Sequence, residues 1–406
     1  MPMNTFAALG LSEGLAARLT KQGFTEPTAI QQAAIPAILE GKEVCAQSET
    51  GSGKTLAYLL PLFQSLDVQK RTTQALVLTP THELAVQVHR QAQALETEGT
   101  IKSALIIGGA NLQRQAEKLK EKPQLVIGSA GRILEWIQKR KIQAHTVTQI
   151  VLDEADRLLD ETNLASVQAV VKTTLASNRH VQLFSASFDE TTMEQAHALQ
   201  KETTFLQKEA ALLPRSLHHY AILTESRDKF VQIRKLYAAL KPQRVMVFIN
   251  NPVMIDVTVE KLRYHHLKAD GLYGLAQKRR RQAAMDAFRE GRITFLVATD
   301  LGARGLDFAD VDLVINLDIP EQPVNYQHRA GRTGRNGKEG TVLSLATPFE
   351  KKWLRKCEKQ LGISILEREM AFGKLAEPKK TKKLPTHAPK SAPKQKKLPR
   401  SAKKPL

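Results

Sequence analysis

The chain is predicted to be α/β, with two tandem domains built on parallel sheets and a disordered basic tail behind them. Short branched-apolar runs alternate with longer helix-like stretches, the pattern of strands joined by crossover helices. That alternation occurs twice, with a break near residues 205–217. The 406 residues suffice for two separate cores, and 42% hydrophobic with 25% charged residues fit a globular chain.

Strands of the first domain are read at Leu76–Leu78, Ala104–Ile107, Leu125–Ile127, Ile150–Leu152 and Val181–Phe184, with helices at His82–Leu95 and Leu112–Leu119 between them. Gly108, Gly109 and Gly128 punctuate strand ends. After Pro214 a second set follows: Val245–Ile249, Thr294–Ala298, Leu313–Ile315 and Thr341–Leu345. The expected division is a first domain over 1–206, a linker over 207–217, a second domain over 218–370 and a tail over 371–406. No repeat recurs at a fixed period, so any duplication is architectural.

Net charge is +19, and eleven of the Lys and Arg residues fall in 379–406, where no acid occurs. Five prolines follow Pro378 there, so the end is expected to be an extended polycation that attracts polyanions. No run approaches the roughly 18 apolar residues that span a bilayer. The opening MPMNTFAALG lacks the basic flank and apolar core of a signal peptide. Cys45 and Cys357 are far apart, and Cys45 in Val44-Cys45-Ala46 reads as a buried thiol. A reducing, cytoplasmic setting without a membrane is therefore expected.

Chemistry enters with Ser48-Glu49-Thr50-Gly51-Ser52-Gly53-Lys54-Thr55, between an apolar run and the helix-like Leu56 to Phe63. Its glycines allow a tight turn whose N–H groups face a polyphosphate at a helix N-terminus. Lys54 then reaches the outer phosphates and the Thr55 hydroxyl ligates Mg²⁺. The strict eight-residue pattern begins with glycine, and Ser48 stands in that place. The remaining core, Thr50 to Thr55, is too specific for an ordinary glycine-rich turn.

Asp153, Glu154 and Asp156 follow the apolar run Ile150-Val151-Leu152. Alone, such a cluster reads as a solvated turn. Beside a phosphate loop it reads differently: Asp153 can hold the metal through water and Glu154 can orient or deprotonate the attacking water. Separation along the chain is no obstacle, because parallel strands bring their C-terminal ends to one edge.

Asp153-Glu154-Ala155-Asp156 is also the tetrad that names the DEAD-box RNA helicases, and the chain resembles that family over about residues 6–350. The resemblance implies two RecA-like domains of the P-loop NTPase class. It makes Gly23 to Gln31 an adenine-sensing motif, with Gln31 on the base edge and Phe24 or Phe6 packed around the base. A glutamine amide donates and accepts, which can separate adenine from guanine. Ser185-Ala186-Ser187 stands at the family's Ser-Ala-Thr position, where hydroxyls link the nucleotide site, including Asp156, to domain movement. Ser187 keeps the oxygen and loses a methyl, so its rotamer is less restricted.

By the same resemblance RNA contacts fall at Pro80, Thr81 and His82, at Gly108 and Gly109, and at Ser129, Gly131 and Arg132. His82 replaces the usual arginine with a ring largely neutral near pH 7. Ala130 removes the rigidity of the usual proline. In the second domain Phe248 and Asn250 fall in one family motif. Gln277 and Arg280 match the element supporting the RNA surface, and Thr299 and Gly302 face the RNA backbone. Asp307 is placed on the ATP ribose. Arg332 and Arg335, in the run from His328, are the expected arginine fingers, which make sense only if the domains close. The departures gather on the RNA side, so preserved ATP hydrolysis with altered RNA affinity or coupling is expected.

The function implied is ATP- and Mg²⁺-dependent RNA clamping with local, non-processive unwinding by a monomeric core. RNA would be held mainly by its sugar-phosphate backbone, with little base specificity. ATP and RNA would favour the same closed arrangement and so strengthen each other's binding. An ATP-gated RNA clamp or ribosome or ribonucleoprotein assembly factor with weak unwinding is the chief alternative. A DNA helicase on the same core and a non-enzymatic RNA-binding scaffold are the others.

Overall fold

A computed structural model describes residues 5–48, 51–96, 101–109, 111–207, 213, 216–273, 278–303, 311–334 and 338–378. The first domain holds β1 (Glu43–Gln47), β2 (Ala75–Leu78), β3 (Ser103–Ile106), β4 (Leu125–Gly128), β5 (Gln149–Asp153), β6 (His180–Ser185) and β7 (Thr203–Gln207). They form one sheet in the order β3-β4-β2-β5-β6-β1-β7, and every pair is parallel. All five strands expected from apolar runs are present. β7, at the edge beside β1, is partly polar and carries no apolar run to announce it.

Alternating residues of each strand enter opposite cores, as a period of two requires. Val44, Ala46, Val77, Ile127 and Val151 pack into one cluster. Cys45, Leu76, Leu78, Val126, Ile150 and Leu152 pack into the other. Helices cover both faces, which is why these strands read as unbroken apolar runs.

The second domain repeats the plan with β8 (Leu217–Leu223), β9 (Val245–Phe248), β10 (Ala269–Gly271), β11 (Phe295–Ala298), β12 (Leu313–Asn316), β13 (Gly340–Ala346) and β14 (Leu366–Glu367). Their order is β10-β11-β9-β12-β13-β8-β14, again parallel throughout. A short antiparallel hairpin, β15 (Glu369–Ala371) and β16 (Lys374–Ala376), follows.

That hairpin corrects the expected start of the tail at residue 371. Phe372 (φ 51°) and Gly373 (φ 72°) form a two-residue turn with both residues left-handed, the geometry that matches strand twist. Met370 and Leu375 then pack in the cluster that holds Phe230 and Tyr237. Residues 379–406 lie outside the described residues. No described helix is long and apolar enough to cross a membrane. Cys45 and Cys357 are buried free thiols, as expected for Cys45.

Candidate active site and nucleic-acid face

Strand order divides the C-terminal edge of the first sheet in two. Exits of β3, β4 and β2, which are neighbours, carry Gly108–Gly109, Ser129–Arg132 and Pro80–His82. Exits of β5, β6 and β1 carry Asp153–Asp156, Ser185–Ser187 and the phosphate loop. The two groups of expected contacts therefore occupy adjacent halves of one rim.

On the nucleotide half, the loop turns at Gly51 (φ 85°) and Gly53 (φ 94°) into the helix Lys54–Ser65. A Cβ on Gly53 would stand 2.5 Å from Gln31 Nε2 and displace that amide, and the left-handed dihedral favours glycine on its own account. Lys54 Nζ donates to the Ser48 carbonyl at 2.6 Å, and the Ser48 and Ser52 hydroxyls bond to each other. Ser48 thus ties the loop together through its side chain. Thr55 follows at the start of the helix, and Thr50 lies outside the described residues.

Gln31 is buried and anchors this loop. Its Oε1 accepts from Thr28 N at 2.9 Å, completing a capping box, and its Nε2 donates to the Gly53 carbonyl at 3.1 Å. One N–H and one acceptor lone pair remain for a base. Phe6 and Phe24, alternatives for packing on the base, part company: Phe6 belongs to the core cluster, whereas Phe24 is 44% exposed.

Asp153 ends β5 as a buried carboxylate. Tyr58 OH donates to its Oδ2 at 2.7 Å and Glu154 N to its Oδ1 at 3.0 Å. Burial holds the Asp153 carboxyl above its usual range, opposed by the Tyr58 hydrogen bond and by Lys54. Burial, then the charges of Asp156 and Asp153, push Glu154 up to about 7, while Arg332 and Lys54 act the other way. Glu154 takes a left-handed conformation (φ 54°) unusual for a residue with a side chain, so its carboxylate is aimed by a strained turn.

Asp156, Ser185 and Ser187 come together as expected. Asp156 N donates to Ser185 Oγ at 3.3 Å, and Ser187 Oγ donates to Asp156 Oδ2 at 3.4 Å. The same rim meets the second-domain helix Pro323–Ala330. His328 Nε2 lies 3.5 Å from Asp156 Oδ2, Arg157 Nη2 donates to Asn325 Oδ1 at 2.8 Å, and Gln327 Nε2 donates to the Ala186 carbonyl at 3.2 Å. Arg332 follows that helix, mostly buried, with its charge felt at Glu154. Arg335 and Asp307 lie outside the described residues.

On the other half, Thr81 caps the helix His82–Leu95 by accepting from Leu84 N at 3.2 Å. His82 sits against Gly108, where a Cβ would come 3.2 Å from His82 Nε2, and Gly109 is left-handed (φ 69°). Gly131 is exposed, and a Cβ there would meet nothing closer than Ser166 Oγ at 3.9 Å. Ser129 begins the next helix without using its hydroxyl as a cap. Arg132 is paired with Glu135 one turn along, so its charge is shared within its own helix. Across the cleft Gly302 N donates to Thr299 Oγ1 at 3.1 Å, and a Cβ on Gly302 would press on the Leu272 carbonyl at 3.2 Å.

Arg280, expected to support the RNA-binding surface, is exposed on the second domain. It lies 3.9 Å from the Tyr273 ring and donates to Asp256 Oδ1 at 3.0 Å, within its own domain. The next residue, Arg281, is the buried one: Nη1 donates to the Tyr273 carbonyl at 3.0 Å, and Nε lies 2.8 Å from Glu83 Oε1 of the first domain. Neighbouring helix positions point about 100° apart, so one step decides which arginine faces the cleft. Gln277 lies outside the described residues.

Two further residues were missed. Tyr58 is one helical turn beyond Lys54, a spacing that could have flagged it. Arg329 is fully buried and uses all five N–H groups: on both Asp300 oxygens (2.6 and 2.8 Å), Asn250 Oδ1 (2.8 Å), the Asp318 carbonyl (2.7 Å) and Asn316 Oδ1 (3.2 Å). It gathers the exits of β9, β11 and β12, and it is the motif arginine that points into its own domain.

Comparison with known proteins agrees with this geometry. A family model described as DEAD/DEAH box helicase matches residues 28–196, and one described as helicase conserved C-terminal domain matches 228–337. The chain is 41% identical over 359 residues to the DEAD-box ATP-dependent RNA helicase CshC of Bacillus cereus, covering 88% of this chain and 92% of that one. It is 34% identical to the ATP-dependent RNA helicase CshA of Listeria monocytogenes, over 87% of this chain and 68% of that one. Among solved structures, S. cerevisiae Dbp5 bound to RNA and ADP BeF3 has a TM-score of 0.81 at 27% identity, covering 90% of this chain and 95% of that one. Mss116p bound to ssRNA and AMP-PNP has a TM-score of 0.79 at 25% identity, covering 88% and 77%.

Proposed function

The chain belongs to the DEAD-box family of ATP-dependent RNA helicases, and from that premise we propose how its own residues carry the reaction. ATP sits in the loop ending at Gly53, with Lys54 on its outer phosphates. Thr55 and Asp153 would hold Mg²⁺. They are hard oxygen donors, and a nearby dication would offset the burial that raises the Asp153 carboxyl. Bound there, the ion supplies neutralisation of charge on the phosphates.

Glu154 acts on the attacking water. A carboxyl at about 7 is near the operating pH, as suits a general base. Arg332 does two things on closure: it brings positive charge to the transferring phosphoryl group, and it favours the ionised form of Glu154. Arg335 as a second finger, Asp307 on the ribose and Gln31 with Phe24 on the adenine complete the proposed site.

RNA lies along the other half of the rim, from Pro80–His82, Gly108–Gly109 and Ser129–Arg132 across to Thr299 and Gly302. The observation that carries this reading is the single interface where Asp156 of the hydrolytic edge meets His328 and Arg157 meets Asn325. RNA and ATP both favour that interface, so each binds more tightly when the other is present. Measuring ATP turnover with and without RNA, together with unwinding of short duplexes, tests it. Glu154→Gln should abolish turnover and keep ATP-dependent RNA binding; full turnover in that variant removes Glu154 from the chemistry.

We further propose a ribosomal or ribonucleoprotein substrate in the cytoplasm. The basic segment 379–406 and the two buried free thiols support this reading. Sequencing the RNA crosslinked to the protein in its native cells tests the substrate.

A further inference from the structure

The edge of the first sheet opposite the reaction rim carries a basic cleft of about 270 Å³, lined by Arg71, Lys120, Lys122, Arg140 and Lys141 around Leu119. The three segments that bring these residues precede β2, β4 and β5, which lie side by side. The cleft is therefore separated from the Pro80–His82 and Ser129–Arg132 face by the length of the strands, roughly 13 Å of chain for four residues.

Three features distinguish it from an ordinary charged surface. No acid lines it. Cations close by in the chain are neutralised locally, Lys70 by Asp67, Lys118 by Glu121 and Lys139 by Glu135, whereas the five in the cleft join no ion pair among the described residues. Lys122 and Arg140 also sit at φ 55°, left-handed positions that glycine fills freely and a long side chain fills at about 1 kcal/mol or more. Two helices, Leu112–Lys120 and Ala130–Gln138, end here, and a cation at each C-terminus would answer the helix dipole. Arg71 comes from neither helix, and five positive charges exceed what two such ends need.

We infer that this cleft is a second phosphate-binding site, which takes the sugar-phosphate backbone of RNA extending beyond the reaction rim. The inference rests on the RNA-directed function above. Lysine and arginine heads on several walls, with no aromatic side chain among the lining residues, suit phosphodiesters better than stacked bases. RNA held at both edges of the sheet keeps the enzyme on its substrate when ATP hydrolysis opens the front cleft.

The test uses the full chain carrying Lys120→Gln, Lys122→Gln, Arg140→Gln and Lys141→Gln. RNA affinity is measured with a non-hydrolysable ATP analogue over a salt series, for RNAs of about 8 and about 40 nucleotides. For the longer RNA the slope of log affinity against log salt should flatten by about 0.7 for each phosphate that the variant no longer neutralises, and affinity at low salt should fall at least tenfold. Binding of the short RNA, and the turnover it stimulates, should be unchanged. A charge-keeping variant carrying Lys120→Arg, Lys122→Arg and Arg140→Lys should retain the original slope.

An unchanged long-RNA slope overturns the proposal. So does an equal loss for both RNAs, which would place the effect in the fold or at the front site. A variant that loses affinity for inorganic tripolyphosphate alone, with long-RNA binding intact, assigns the cleft to a free phosphate compound and overturns the RNA assignment. Failure of the natural protein to bind the short RNA would instead count against the RNA-directed function itself.

Discussion

Replacing Glu83 by Gln or Arg281 by Met should uncouple ATP from RNA without weakening either ligand alone. The two groups lie 2.8 Å apart across the domain interface, with side chains only 19% and 6% exposed. At that distance and an effective dielectric of about 20, their attraction is roughly 6 kcal/mol. Desolvation of both charges offsets most of this, leaving a coupling of about 2 kcal/mol, or roughly 30-fold. Because the pair forms only with the domains together, the loss falls on the closed state. The readout is RNA affinity by fluorescence anisotropy, with and without a non-hydrolysable ATP analogue. Each single change should cut the ratio of the two affinities about 30-fold, leave RNA binding without nucleotide unaltered, and combine non-additively in the double variant. Ratios within twofold of the natural protein in both single variants, or losses that simply add, would refute the bridge.

Gly53→Ala should reduce nucleotide affinity at least tenfold in a fluorescent-nucleotide titration. Gly291→Ala, at φ 72° with nothing within 4 Å, serves as a control for the dihedral alone, and equal behaviour of the two would sink the steric claim. Arg329→Met should destabilise the second domain by roughly 3–5 kcal/mol in denaturant unfolding, because Asp300 and the Asp318 carbonyl lose their donors; a change below about 1 kcal/mol would contradict its role. Glu154 has a folded pKa raised from 4.5 to about 7, so the folded protein holds its proton more tightly than the unfolded chain. Stability should therefore fall as pH rises from 4.5 to about 7 and level off above it, and Glu154→Gln should flatten this part of the profile. A profile unchanged by that substitution would reassign the pH dependence.

Much of the site was legible because it is written in contiguous runs. The loop from Ser48 to Thr55, the acids from Asp153 to Asp156 and the hydroxyls of Ser185 and Ser187 each follow a strand, and a strand's exit is a local property. The apolar runs likewise marked their strands, since a sheet covered on both faces needs nearly unbroken apolar sequence. β7, β8, β10, β14 and the β15–β16 hairpin escaped because each is short or interrupted by polar residues, and the hairpin depends on Met370 and Leu375 packing against the same core as Phe230 and Tyr237.

The sequence by itself determined the fold class, the nucleotide chemistry and the edge of each sheet where that chemistry sits. Tertiary structure alone decided that Arg281 rather than Arg280 crosses to Glu83, and that Arg329 holds its own domain while Arg332 acts on Glu154. It also decided that Phe6 is core while Phe24 is exposed, and that Tyr58 seats Asp153. The physical reason is distance along the chain. Dihedral preference and apolar period act over a few residues, whereas the direction of a side chain in a cleft is set by partners a hundred or more positions away.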